Sequence, residues 1–383
     1  MSDRPQVLLV AVGGYGSNYL KEMTERDVGA DIAGICEVMP DIEARFPVIR
    51  ERNIPVYRTL ADFYAQRRAD LAVISSPIHF HTEMTLECLA HGSHVLCEKP
   101  LCLTEAEARS MDEAARAAGR FLAVGYQFNY QRDVLALKRD ILAGRLGAPK
   151  RLQVVHAMRR GAKYYSRNNW AGHITAGGRE VLDSPFSNAC AHYFQLMTFL
   201  LGDELGSACD GKQVEAELYR ANPALENFDT AALRFRMAGG AEIMYYTSHA
   251  LASKKLGPRG VFEFEGGTVT FSPERPSFQA RLADGTEIDY GHVPAGERLQ
   301  KLYDAIDCVK HGGSPICGIA AEVPHIRAVR LVQTQPIRPI SPERTFRLAE
   351  EDDSFLCVKE LERIFEESAG SWALPREAGF HLT

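Results

Sequence analysis

The first apolar run and the residues that follow it constrain this chain most. Residues 6–12, Gln-Val-Leu-Leu-Val-Ala-Val, form the short continuous apolar stretch of a strand buried on both faces. The run passes directly into Gly13, Gly14 and Gly16, and a helical stretch follows from Ser17 to Arg26. The pattern is that of a dinucleotide turn, G-x-G-x-x-G, with Ala11 at the first glycine. Gly13 lets backbone approach a pyrophosphate, and Gly16 lets helix and strand pack closely. The N–H groups at the helix start then face the phosphates. Alanine at the first position permits the tight turn with fewer allowed angles.

A second run, Asp31 to Cys36, ends in Glu37. Glu37 lies about 20 residues past the last glycine, where a ribose-binding acid is expected. A carboxylate there accepts from both ribose hydroxyls and repels a 2′-phosphate, which argues for NAD over NADP. Arg45, a few residues on, leaves room for some tolerance of NADP, and a solvated strand-end acid is the plainer reading of Glu37. Strand and helix then alternate. The runs 70–75, 94–97 and 121–125 are apolar, with helical stretches at 80–91 and 104–119, the latter opened by a Thr104/Glu107 capping box. That alternation predicts a parallel, doubly wound sheet. Lys99 follows the run 94–97, and Pro100 turns the chain away. A lysine at that strand end faces the ligand crevice of an open α/β sheet, unless it simply extends to solvent.

Beyond Tyr126 the pattern changes. Strand-like runs appear at 151–158, 212–220, 230–237, 242–248, 260–265, 268–272, 278–283 and 287–291, with Gly266-Gly267 as a hairpin turn. Helical patterns fall at about 183–201, 297–311, 320–335 and 353–368. Strands in succession followed by helices fit an α+β domain with one sheet face buried.

The set resembles the Gfo/Idh/MocA oxidoreductases, the glucose–fructose oxidoreductase and inositol dehydrogenase group. The matching pieces are the glycine turn, Glu37, Ser76-Pro77-x-x-x-His81 and Glu98-Lys99-Pro100. Gly144-Arg145-Leu146-Gly147 resembles the family's passage into its second domain. Gly177-Gly178 followed by His192 and Gly202 resembles its catalytic helix. The resemblance implies an α/β protein with an N-terminal Rossmann domain at residues 1–125. NAD would be bound through Ala11, Gly13, Gly14, Tyr15, Gly16, Glu37, Ser75, Pro77, His81, Glu98 and Lys99, with Gln127 just beyond that domain. Residues 126–383 would form an α+β domain with a large, mostly antiparallel open sheet, serving substrate binding and assembly as a homo-oligomer, dimer or tetramer. Most members act on sugars or polyols.

Oxidising a secondary alcohol needs a base for the hydroxyl proton while hydride leaves the carbon. Histidine titrates in the right range. Asn188 and His192 are four apart and share a face if 183–201 is one helix. The family carries Asp-x-x-x-His here, so Asn188 departs from it, and asparagine cannot accept the proton. Asp183 is the nearby substitute, although a helix N-terminal acid is its simpler reading. Asn129 is a further departure, where the family often has arginine. The stretch from Lys163 to Trp170 mixes aromatic faces, amides and cations, as sugar sites do. Tyr164, Arg167 and Trp170 are therefore substrate candidates with Lys99, Asn129, Asn188 and His192. Arg159, Arg160, Lys163 and Arg167 suit an anionic substituent, or form a solvated basic loop.

The resulting expectation is a cytoplasmic NAD-dependent oxidoreductase. Hydride passes to C4 of nicotinamide, Lys99 hydrogen-bonds the reacting hydroxyl, and His192 removes its proton. Two alternatives stand beside it. One is a glycosidase that retains NAD and oxidises the sugar only transiently. The other is a non-catalytic sensor of NAD and sugar. At 383 residues the chain suits two domains. Its net charge of −6, with both signs interspersed, gives no reason to expect a nucleic-acid partner. Nine cysteines without ligand spacing predict reduced thiols and no metal site. The N-terminal run is too short for a signal peptide, and no stretch is long enough for a membrane span.

Overall fold

The computed structural model describes residues 4–291, 295–350 and 352–383. It packs as two compact units, Met1–Gln131 with Ala295–Val323, and Arg132–Pro294 with Pro324–Thr383. The division differs from the expected boundary at 125/126. The first unit runs a few residues further and takes back a segment from late in the sequence.

In the first unit, a six-stranded sheet has the spatial order Val56–Tyr57, Asp31–Cys36, Gln6–Val10, Leu71–Ile74, His94–Cys97, Leu122–Val124. Every neighbouring pair is parallel. The order reverses between Gln6–Val10 and Leu71–Ile74, the switch point at which α/β sheets bind ligands beyond their carboxyl ends. The predicted capping box at Thr104/Glu107 is present and opens the helix Glu105–Ala118, which ends at Gly119 in the left-handed region. The core joins Val7, Leu9, Leu71, Val73 and Leu96 of the strands to Leu302, Ala305 and Ile306 of the returning helix Gln300–His311. Each Val, Leu or Ile among them contributes about 1.5–3 kcal/mol when fully buried.

The second unit holds a nine-stranded sheet. Its order is Glu287–Asp289, Gln279–Leu282, Gly267–Phe271, Lys255–Phe264, Pro149–Met158, Glu242–Ser248, Thr230–Met237, Gly211–Arg220, Ile337–Pro339. Two pairs are parallel, Pro149–Met158 with Glu242–Ser248 and Gly211–Arg220 with Ile337–Pro339; the rest are antiparallel. The expected single buried face is corrected at the sheet's centre. On one side Met244 and Tyr246 pack against Leu361, Ile364 and Phe365 of the helix Leu361–Gly370. On the other, Phe235 and Tyr245 meet Phe186 and Phe194. The helix expected at 353–368 is also corrected. Asp353–Val358 is a strand paired antiparallel with Thr345–Glu350, and the helix starts only at Leu361. Ser354-Phe355-Leu356-Cys357-Val358 has the apolar, partly β-branched character of a strand, and Glu360 at φ 59° breaks the chain between the two.

A buried ion pair ties the first unit together. Lys301 Nζ donates to Glu98 Oε1 at 2.5 Å and to the Gly125 carbonyl at 2.8 Å, and the Tyr19 hydroxyl donates to the same Glu98 oxygen at 2.6 Å. The side chains of Lys301 and Glu98 are 1% and 9% exposed. Removing one partner leaves an uncompensated buried charge, so Lys301→Met should destabilise the protein by about 3–5 kcal/mol. Chemical denaturation should show this. The Lys301→Met/Glu98→Gln double variant should recover much of the loss, and additive losses would rule out the pair.

Candidate active site

The first unit gathers the predicted dinucleotide residues at its strand ends. Ala11 adopts φ 63°, the left-handed conformation a glycine would take without strain. A Cβ on Gly16 would lie 2.3 Å from the Ala11 carbonyl oxygen, so close helix–strand packing requires glycine there. Gly14 is open, with nothing within 4 Å of an added Cβ. The helix Ser17–Glu25 starts with no side-chain cap and no acid in its first turn. Its N-terminal amides and dipole therefore suit an anion, as a pyrophosphate is. The Ser75 and Ser76 hydroxyls after Leu71–Ile74 are buried without hydrogen-bond partners, which fits polar groups arriving at this edge. Half-buried Pro77 follows them, Tyr15 is exposed at the turn, and Gln127 opens the short helical turn Gln127–Tyr130.

Glu37 is buried, and its carboxylate accepts three backbone N–H groups, from Gly13 at 2.9 Å, Val38 at 2.8 Å and Met39 at 3.1 Å. The acid is thus fixed against the glycine turn. His81 and Glu98 work from behind. His81 bridges the Ser76 carbonyl, 2.8 Å from Nε2, and the Pro100 and Leu101 carbonyls, 2.9 and 3.2 Å from Nδ1. Burial holds its pKa below the ordinary value. These contacts fix the turn that carries Lys99, whose N–H donates to Glu98 Oε2 at 3.3 Å. Asn129 is fully buried, with its amide nitrogen on Cys317 Sγ at 3.2 Å, an interior position.

Sequence reasoning missed three residues here. Tyr19 and Lys301 hold Glu98, as described. Lys301 stands four before Ala305 and shares its face, so a lysine on an apolar helix stripe was the available signal. Glu322 is the third. It is fully buried, its Oε1 accepts the Leu101 N–H at 3.0 Å, and its Oε2 has no hydrogen-bond partner. Burial raises its pKa to about 8, with the Leu101 N–H and the Lys99 charge opposing.

In the second unit, the helix expected over 183–201 is two pieces. Pro185–Ala189 is a wide turn closed by Cys190 N–H to the Pro185 carbonyl at 2.8 Å, and Ala191–Leu200 is the α-helix. The Tyr245 hydroxyl donates to the Cys190 carbonyl at 2.5 Å at the break. Asn188 and His192 therefore do not lie one above the other on a continuous helix. Asp183 does not cap this stretch; Ser184 caps the wide turn, accepting the Ser187 N–H at 3.1 Å. Asp183 is buried and accepts the Asn188 side-chain amide at 2.8 Å and the Gly172 N–H at 2.7 Å. His192 is half-buried in the first turn of Ala191–Leu200.

The aromatic-basic loop packs beside these residues. The Arg167 guanidinium lies 3.8 Å over the Tyr164 ring and 5.5 Å from Trp170. Asp183 is near enough that its charge adds to burial in raising the Tyr164 hydroxyl to about 12. Two of the four candidate cations are engaged elsewhere. Arg159 is buried against Glu350, the Ala252 carbonyl and the Phe355 ring, and Lys163 pairs with Asp352. His249, unmarked in the sequence reading, lies 5.5 Å from Tyr164, and its Nδ1 shares a hydrogen bond with the Tyr165 hydroxyl, 3.0 Å away. Burial, with Arg160 and Arg167, holds its pKa well below the ordinary histidine value.

Among the described residues no group of three metal-ligating side chains occurs, and no helix is long and apolar enough to cross a membrane. Two family models match the chain. Residues 6–126 match the GFO/IDH/MocA oxidoreductase family with its NAD-binding Rossmann fold, and residues 134–270 match the GFO/IDH/MocA C-terminal domain. Inositol 2-dehydrogenase of Burkholderia cenocepacia is 24% identical over 351 residues, covering 88% of this chain and 96% of the relative. The enzyme of that name from Burkholderia ambifaria is 26% identical over the same length and coverage. Among solved structures, the WlbA dehydrogenase of Bordetella pertussis in complex with NADH and UDP-GlcNAcA superposes with a TM-score of 0.71 at 21% identity, covering 86% of this chain and 96% of that one. An oxidoreductase from Agrobacterium radiobacter in complex with NAD+, L-tartaric acid and magnesium gives 0.67 at 20% identity, covering 86% and 94%.

Glu322 carries a prediction in the pH dependence of stability. Its folded pKa, about 8, lies above the value of an ordinary glutamate. The stability it supports is present at acid pH and lost as pH rises toward and through about 8. Glu322→Gln keeps an acceptor for the Leu101 N–H without the titration. Denaturation midpoints of the two proteins should agree near pH 4 and separate by pH 8.5, with the variant more stable. Parallel curves would place the Glu322 pKa in the ordinary range.

Proposed function

This chain belongs to the Gfo/Idh/MocA oxidoreductase family, and from that premise we propose that it is an NAD-dependent dehydrogenase of a secondary hydroxyl on a sugar or polyol. The observation that carries the reading is the set of strand ends in the first unit: the glycine turn, the uncapped helix start, and Glu37 held against Gly13. The inositol 2-dehydrogenase relatives support a polyol or sugar as substrate. When bound, NAD supplies the hydride acceptor. Lys99 donates a hydrogen bond to the reacting hydroxyl, which favours the developing alkoxide. His192 takes the proton. Asn188 cannot take the family aspartate's part in a proton relay, so its amide, donated to Asp183, orients rather than relays. Tyr164, Arg167 and Trp170 supply stacking faces and a cation for the substrate, and Asp183 is the carboxylate nearest Asn188.

Cofactor choice rests on Glu37. NAD should bind more tightly than NADP in direct titration. Glu37→Ala should narrow the gap by about tenfold, because it removes both a hydroxyl acceptor and a charge repelling the 2′-phosphate. Equal or tighter binding of NADP by the unaltered protein would sink this choice.

The roles in the chemical step are tested by turnover. Lys99→Ala and His192→Ala should retain the fold and most NAD affinity yet lose on the order of 10²-fold or more in kcat. A His192→Ala enzyme within a few-fold of the parent would move the base to another group, with Asp183 first in line. The assay is NADH formation across a panel of polyols, sugars and glycosides. Accumulating NADH is the expected result. Free sugar released from a glycoside without net NADH would instead mean that oxidation is transient.

A further inference from the structure

The second unit contains a polar cavity of about 60 Å³ whose lining includes Arg160, Gly161, Tyr165, Asp229, His249 and Arg347. Such a space holds a few waters or one small polar group. Two of its donors have nothing to bond. His249 is 3% exposed, its Nδ1 is taken by Tyr165, and its Nε2 is buried with no hydrogen-bond partner. Arg160 Nε is likewise buried and unbonded, while its other guanidinium nitrogens make only long contacts, 3.4 Å to the Arg159 carbonyl and 3.8 Å to Met158 Sδ. Buried polar atoms left in this way are costly unless an occupant satisfies them.

We propose that this cavity is a subsite for a carboxylate substituent of the substrate, with Arg160 and His249 as its donors and Arg347 at its exposed mouth. The inference deepens the sugar or polyol reading and rests on it. When the Tyr165 hydroxyl donates to Nδ1, the imidazole proton resides on Nε2 and points a donor at the cavity. A guanidinium and one N–H match the two oxygens of a carboxylate. Asp229 also lines the cavity, but its carboxylate is turned onto neutral donors, and burial raises its pKa, which favours the uncharged form. It accepts the Ala221 N–H at 3.0 Å, the Asn222 N–H at 2.8 Å and the Thr230 hydroxyl at 3.0 Å. The subsite also adjoins the residues given roles above. Arg160 lies 4.9 Å from the Tyr164 ring, whose other neighbours are Arg167 and His249, and Tyr164 senses the Asp183 charge.

Calorimetric titration of the full chain saturated with NAD tests this, with D-glucuronate and D-galacturonate set against D-glucose and D-galactose. At least one uronate should bind ten- to a hundredfold more tightly than its parent hexose, the range for a charge-assisted hydrogen bond. Arg160→Gln should erase that preference while leaving NAD affinity nearly unchanged. Arg347→Ala, at an exposed position that keeps the fold safe, should weaken uronate binding in the same direction. Equal affinities for uronate and hexose, no uronate binding, or a preference surviving in both variants would overturn the proposal. The readout needs no turnover. A protein that forms no NADH would lose the dehydrogenase reading and could keep the uronate preference. One that oxidises neutral polyols without that preference would lose the subsite alone.

Discussion

The first unit depends on one buried carboxylate. Glu98 sits at the end of His94–Cys97, directly before Lys99, and takes hydrogen bonds from Tyr19 and Lys301. Taking two charges out of water costs several kcal/mol per ion, repaid only when the geometry satisfies both. Here the lysine also reaches the Gly125 carbonyl, and Gly125 must be glycine because a Cβ would lie 2.9 Å from the carboxylate. The consequence is positional. Tyr19 belongs to the helix that follows the glycine turn, so that helix and the strand end carrying Lys99 share one anchor. Lys301 lies on a helix 203 residues later in the chain. The cofactor-facing unit is therefore complete only when the chain has passed through the second unit and returned.

That return explains which parts of the fold were legible in the sequence. Local signals served wherever local physics decides. The apolar runs became parallel strands, the Thr104/Glu107 box became a cap, and the hairpin expected at Gly266-Gly267 formed one residue earlier, with Glu265-Gly266 as the link and Gly267 opening the second strand. The discontinuity was not legible, because the periodicity of Gln300–His311 shows an amphipathic helix and not which core receives it. The same limit applies to Asp353–Val358. Its residues serve either as the start of a helix or as a strand, and pairing with Thr345–Glu350 decides. The two-residue strand Val56–Tyr57 is too short to leave any periodic trace.

The candidate site shows the same division at finer scale. The glycine turn and Glu37 were readable because they depend on strand–turn–helix geometry within a short segment. The spacing of Asn188 and His192 misled, because four residues mean a shared face only on an unbroken α-helix. Pro185 lacks an N–H, Ser184 caps the turn, and Tyr245 from the sheet takes the Cys190 carbonyl, so the helix restarts at Ala191. What decides the chemistry of Asn188 is then its contact with Asp183, a pairing across five residues of irregular backbone.

The basic loop carries this argument to specificity. Four cations in nine residues, Arg159 to Arg167, looked interchangeable as a sequence. The hairpin of Thr345–Glu350 and Asp353–Val358 separates them. Glu350 takes Arg159, Asp352 at the hairpin's turn takes Lys163, and the Asp353 carboxylate accepts the Lys163 N–H at 3.1 Å. Arg160 and Arg167 remain on Tyr164, next to a histidine whose pKa is lowered by burial and, after it, by those same charges. Under the proposed carboxylate subsite, a preference for an anion would rest on which guanidiniums the hairpin leaves without a carboxylate, and not on the number of basic residues in the loop.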